Sequence, residues 1–257
     1  MSPYAYCANN PILFIDPNGE EIWIYYGDNN KVRYDNGKLY NSDGTAYKGN
    51  DNFVTTSVGY LNKMNSTVIG NTVIGNLVSS TNTFNFKNQF SVDKNTGAQI
   101  TDQLSFTHTG NGGGDIKAGA LMGNVANSDQ KLSSTAHELF HGYQRENGEN
   151  SDGINKEIGA YTFGESVRMQ YEINTTGGNA TLPILGNNSS DGRSYDKAMN
   201  QLIMAPSFNN TLYQTVGNTF LKGSVANSTG IYNTKTFNPK YPNPLIMKLY
   251  PLIKLPQ

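Results

Sequence analysis

His137-Glu138-Leu139-Phe140-His141 places two imidazoles four residues apart with a carboxylate directly after the first. On a helix such a pair shares one face, so both rings can bind a single divalent metal, and zinc suits nitrogen and carboxylate donors of this kind. Glu138 is rotated by about 100° from His137 and can touch a water beside the metal without ligating it, which is the position of a general base. The residues around the motif, Thr135, Ala136, Leu139, Phe140, Gly142 and Tyr143, are all uncharged, as a helix buried behind a reactive site requires. A metal that keeps one position open for water takes three protein ligands, so a third must come from elsewhere in the chain.

A continuation of the type His-x-x-Gly-x-x-His would supply it, but Gln144 and Asn147 stand at those places, and His108, the remaining histidine, lies upstream. A carboxylate from the next helix is the expectation. Glu157 lies 16 residues after His141, far enough for the chain to turn at Asn147-Gly148 and return antiparallel. On a helical wheel it shares a face with Ala160, Tyr161, Gly164 and Arg168, where the small residues permit close approach; Glu165 falls about 80° away and is the alternative. Glu146 and Glu149 sit too near the turn to fold back. A developing oxyanion would need a donor besides the metal, for which Tyr161, Tyr171 and Tyr195 are candidates.

The elements that must carry these residues are legible as periodicities. From Glu21 to Tyr47 short aromatic runs alternate with Gly27-Asp28-Asn29-Asn30, Asp35-Asn36-Gly37 and Ser42-Asp43-Gly44, which predicts a β-meander. Val54, Val58, Leu61 and Met64 then recur at helical spacing, and the tandem Thr67-Val68-Ile69-Gly70-Asn71 and Thr72-Val73-Ile74-Gly75-Asn76 reads as a second helix reaching Ser80. Strands are expected at Thr83 to Phe90, Gln103 to His108 and Ile116 to Met122. The last of these, with Ile116, Lys117, Ala118 and Gly119, is expected to be an edge strand beside the motif helix, onto which an extended substrate adds. Helices are expected over Ser128 to Asn147 and, with an Asp152 cap, over Asp152 to Ile173. The remainder reads mostly as loop, with a helix from Tyr195 to Met204.

Composition narrows the partners. A formal net charge of -1 with only 15% charged residues calls for neither nucleic acid nor an anionic membrane. Cys7 is the single cysteine, which excludes an intrachain disulfide and a cysteine-based zinc site. The start, Met1-Ser2-Pro3-Tyr4, is not the pattern of a secretory signal, and the apolar stretch from Pro244 to Pro256 is too short and too interrupted to span a bilayer.

Two stretches resemble known families. Tyr6-Cys7-Ala8-Asn9-Asn10-Pro11 followed by Asp16-Pro17-Asn18-Gly19 resembles the end of an Rhs (YD-repeat) core, with the departure that Cys7 and Ala8 separate the tyrosine from the asparagines. That resemblance covers residues 1–19 and implies a bacterial protein whose C-terminal effector or toxin domain begins just afterwards, is delivered to a target cell, and is matched by an immunity protein. Ser134-Thr135-Ala136-His137-Glu138-Leu139-Phe140-His141 with Lys156-Glu157-Ile158-Gly159-Ala160-Tyr161 resembles a compact gluzincin. Thermolysin-like members carry an Asp four residues after the ligand Glu, where this chain has Tyr161. The resemblance implies an α+β, zincin-like metallopeptidase domain over residues 50–257 with a small mixed sheet, preceded by the end of the core (1–21) and a meander or linker (22–49). It also implies Zn2+ on His137, His141 and Glu157, a metal-activated water deprotonated by Glu138, and a polypeptide substrate. The alternative is a non-catalytic adhesive tip with a structural or degenerate metal site.

Overall fold

In a computed structural model the chain is described at residues 21–93, 96–110, 112–123, 128–149, 153–227, 232–233, 235, 237–240 and 242–253. The segment resembling an Rhs core end and the expected Asp152 cap lie outside the described residues.

Three strands open the structure: β1 (Glu21–Tyr26), β2 (Asn30–Asp35) and β3 (Lys38–Asn41). Asn36 and Gly37 both have positive φ, +46° and +92°, so the β2–β3 connection is the two-residue turn that matches strand twist and that Asn-Gly favours. The predicted meander is therefore present, but it is neither linker nor separate unit. β1 pairs in parallel with β4 (Thr83–Lys87), which pairs in parallel with β8 (Gly114–Lys117), which pairs antiparallel with β7 (Ser105–His108). The result is one six-stranded mixed sheet in the order β3-β2-β1-β4-β8-β7, so no architectural boundary falls at residue 50. A small hairpin, β5 (Ser91–Val92) with β6 (Gln99–Ile100), stands apart from it. The protein is of mixed α+β class.

Strand alternation puts Ile22, Ile24, Val32, Tyr34, Phe84, Phe86 and Ile116 on one fully buried face. Helices α1 (Asn52–Asn65), α2 (Val68–Val78) and α3 (Ser128–Glu146) pack against sheet strands, and α4 (Gly153–Thr176) packs on all three. Asp51 caps α1 by accepting from the amides of Phe53 and Val54, and Thr67 caps α2 through the amide of Gly70. The five-residue repeat thus folds as one helix whose cap is the first copy's threonine. α3 stops where the Asn-Gly pair predicts, with Gly148 at φ +66°.

Two expectations fail. Ile116 to Met122 is not an edge strand: β8 ends at Lys117 with β4 on one side and β7 on the other, and Gly119–Met122 forms a 3-10 turn. The turn is set by Gly119, whose absent Cβ would sit 2.9 Å from the Gln89 carbonyl oxygen. The open edge on that side is β7. The region beyond Thr176 is also not mostly loop. Besides α5 (Ser190–Met204) it holds α6 (Asn210–Gly223) and the short α7 (Pro244–Leu249). Tyr213, Val216, Gly217 and Phe220 form a helical stripe in α6, and Asn209 caps it, but Gly217 and the Thr and Asn residues mask the pattern. Among the described residues no helix is long and apolar enough to cross a membrane.

α4 is the hub, buried on nearly all sides over its middle turns. It meets α3 at close range: Phe140 stacks on Phe163 with centroids 4.7 Å apart, and a Cβ on Gly164 would lie 2.6 Å from the Ser133 carbonyl oxygen. Gly164→Ala must push the two helix backbones apart and should cost about 1–3 kcal/mol. Gly75→Ala, in a helix interior with nothing within 4 Å, should stabilise by about 0.5–1 kcal/mol. Urea unfolding of both variants tests this helix contact, and a Gly164→Ala protein as stable as the parent would contradict it.

Candidate metal centre

His137 and His141 lie one helical turn apart on the α3 face turned to α4, with their Nε2 atoms 3.1 Å apart. Glu157, at the start of the second turn of α4, completes the group: its Oε2 is 3.3 Å from His137 Nε2 and its Oε1 is 3.5 Å from His141 Nε2. Among the described residues these three form the cluster able to hold a metal ion. Donors held at about 2.0–2.1 Å around a tetrahedral ion lie about 3.3–3.4 Å from one another. Here the two imidazole nitrogens are 3.1 Å apart and each is near a different Glu157 oxygen, at 3.3 and 3.5 Å, so the three residues stand close enough to share one ion. The donor set, two imidazoles and one carboxylate converging in a mostly buried pocket, fits a divalent metal.

Without an ion the cluster is held by charge. Burial pushes the His141 imidazole down, but Glu157 beside it, with smaller help from Glu138 and Gln144, overrides this and raises it to about 9. Glu157 is correspondingly held well below the usual carboxylate range, because the two histidines outweigh its burial. Each imidazole has a different support. His141 Nδ1 lies 2.8 Å from Gln144 Oε1, and the Gln144 amide donates to the Lys156 carbonyl at 3.0 Å, tying the ring to the start of α4. His137 Nδ1 is buried and has no hydrogen-bond partner. The ring is held instead by Tyr161, whose centroid is 4.3 Å away, at the position where a thermolysin-like chain would carry a carboxylate.

Glu138 is nearly buried and makes no hydrogen bond among the described residues, and its charge bears on His141, Tyr161 and Tyr232. Tyr161 and Tyr195 both border the Glu157 carboxylate; burial first, then that negative charge, keeps their phenols protonated. Tyr195 is fully buried with its hydroxyl unpartnered. Tyr171, the third tyrosine expected here, is elsewhere: it is 14 residues further along α4, about 21 Å by helical rise, where its ring meets the Lys63 ammonium. Glu165 is likewise engaged away from the metal group, accepting from Ser133 Oγ at 2.6 Å and from Arg168 Nε at 2.7 Å.

Two residues of the site escaped the sequence reading. Gln144 sits one turn beyond His141, a spacing that could have marked it as the ring's support. Tyr232 faces Glu157, and burial together with that carboxylate raises its phenol pKa far above the usual value. It lies between α6 and α7, held by its amide donating to Asn227 Oδ1 at 2.8 Å, and its aperiodic surroundings offered no signal. Comparison with protein-family models, curated proteins and solved structures finds no match.

Glu157→Ala should abolish stoichiometric metal retention after dialysis. Glu165→Ala should keep the metal but lose about 1–3 kcal/mol, since Ser133 and Arg168 lose a buried acceptor. Metal analysis with urea unfolding reads both, and the opposite pattern would move the ligand role to Glu165. A pH effect follows from His141. Folding raises its pKa from 6.5 to about 9, so the stability it contributes is fully present below pH 6.5 and is lost as pH climbs through about 9. The metal-free protein should therefore weaken over that window, and Glu157→Gln should flatten the decline.

Proposed function

We propose that the chain is a zinc-dependent endopeptidase of zincin-like, gluzincin type. The observation that carries the reading is the convergence of His137, His141 and Glu157, with donor atoms 3.1 to 3.5 Å apart, and an unbonded Glu138 carboxylate beside them. Zinc bound there would act as a Lewis acid on a water and on the peptide carbonyl. Glu138 takes the proton from the attacking water and returns it to the leaving amine. Tyr232 is the favoured donor to the developing oxyanion, because its hydroxyl faces the metal group from outside α3 and α4; Tyr161 braces His137. Of the two edge strands of the large sheet, β3 and β7, β7 is the one that packs against the motif helix, and an extended polypeptide can pair with it.

The competing reading, a non-catalytic module with a structural metal, fits less well. Structural zinc sites are closed by four protein ligands, and the described residues bring three. The context of a bacterial Rhs-type effector, with a protein of a target cell as substrate and an immunity protein as partner, rests on the sequence of residues 1–19.

Glu138→Gln preserves shape and removes the base. Bound zinc and thermal stability should stay at parental levels, while hydrolysis of an unstructured protein substrate falls by at least about 10² to 10⁴. Tyr232→Phe should lower kcat by about 10² with less effect on KM, whereas Tyr171→Phe should leave both unchanged. Parental hydrolysis by zinc-loaded Glu138→Gln protein would refute the mechanism.

A further inference from the structure

Beyond His141 the metal group is flanked by cationic side chains. Arg145 follows His141 by one helical turn on the same stripe of α3 and is exposed. Lys156 immediately precedes Glu157, and its carbonyl is linked to the His141 ring through Gln144. His108 completes the rim from the sheet side. It shares the helix-facing side of β7 with Phe106, whose ring it meets edge-on at 5.4 Å. Phe106 in turn lies 3.6 Å from where a Cβ on Gly142 of α3 would sit. The His108 imidazole is lowered in proton affinity, first by burial and then by the charges of Arg145, Lys156 and His141, so all three reach it.

This positive charge is uncompensated. Among the described residues neither Arg145 nor Lys156 has a carboxylate partner. Glu146, the acid nearest Arg145 in sequence, accepts from Asn82 Nδ2 at 2.7 Å, and Glu149 is buried. A peptide paired with β7 sends every second side chain to the helix-facing side, where His108 stands.

Resting on the peptidase reading, we propose that Arg145 and Lys156, with the His108 ring beside them as a hydrogen-bond donor, form a subsite for an acidic side chain, Asp or Glu, of a polypeptide lying along β7. Cations at the rim of a recognition cleft select for charge more than they add affinity, so the expected signature is a salt-sensitive preference.

The test is equilibrium binding to zinc-loaded Glu138→Gln protein of two fluorescein-labelled octapeptides of Gly, Ser and Ala, one carrying two Glu and the other two Gln. The Glu peptide should bind at least about threefold more tightly at low ionic strength, and the advantage should fade in about 0.5 M salt. Arg145→Gln and Lys156→Gln should each reduce the ratio; the salt series needs no further variant should either fail to fold. Equal affinity for the two peptides at low salt overturns the proposal. Wild-type cleavage of both peptides separates the two readings. Cleavage without a Glu preference overturns the subsite alone, whereas preferential Glu binding without any hydrolysis supports the subsite and overturns the peptidase reading.

Discussion

The spacing between α3 and α4 sets everything else in the site. Two imidazoles on one helix can be arranged by periodicity alone, but the third donor comes from a second helix, and its position is fixed only when the backbones approach closely. Gly164 makes the approach possible against the Ser133 carbonyl, and the Phe140–Phe163 stack fills the space beside it. The buried Ser133–Glu165–Arg168 chain then pins the same two helices with hydrogen bonds. Glu165 thus serves the geometry of the metal group without belonging to it. A buried carboxylate of this kind is costly unless every oxygen is satisfied, and here both oxygens have partners.

The sheet supplies the opposing wall. A Cβ on Gly142 of α3 would lie 3.1 Å from the Phe84 ring, so the motif helix rests directly on the inner face. α3 is therefore clamped between glycine contacts on two sides, one to the sheet and one to α4, and has little freedom to rotate its histidines away. β1 to β3 therefore matter to the site although they carry none of the metal group. They extend and bury the sheet face on which α1 to α3 lie.

What could be read from the sequence was whatever depends on neighbours close along the chain. The i, i+4 histidines, the Asn36-Gly37 turn and the Asn147-Gly148 helix stop are local facts. Glu157 could be favoured over Glu165 because a short loop and a helical wheel fix its approximate place. Strand order is only partly local: the short glycine-rich connection between β7 and β8 is compatible with a hairpin, but nothing within residues 114–122 reveals that β4 pairs with β8 on its other side and leaves β7 as the edge. The meander looked separable for the same reason, since its pairing partner β4 comes 57 residues after β1 ends, Tyr26 to Thr83. Tyr232 was invisible because a residue that acts from a loop has no period.

The two histidines are supported unequally. Outer partners that fix the tautomer and raise ligand basicity serve structural and catalytic metals alike. Here His141 has such a partner in Gln144, while His137 is braced by a ring and leaves Nδ1 without an acceptor. The Tyr232 phenol is spent on the Glu157 carboxylate, but the Glu138 carboxylate that no hydrogen bond claims and the unpartnered Tyr195 hydroxyl leave part of the pocket's polar capacity unspent on the protein itself. That surplus is what a reacting substrate and its water would use, and it is the physical reason for favouring proposed catalysis over a structural role.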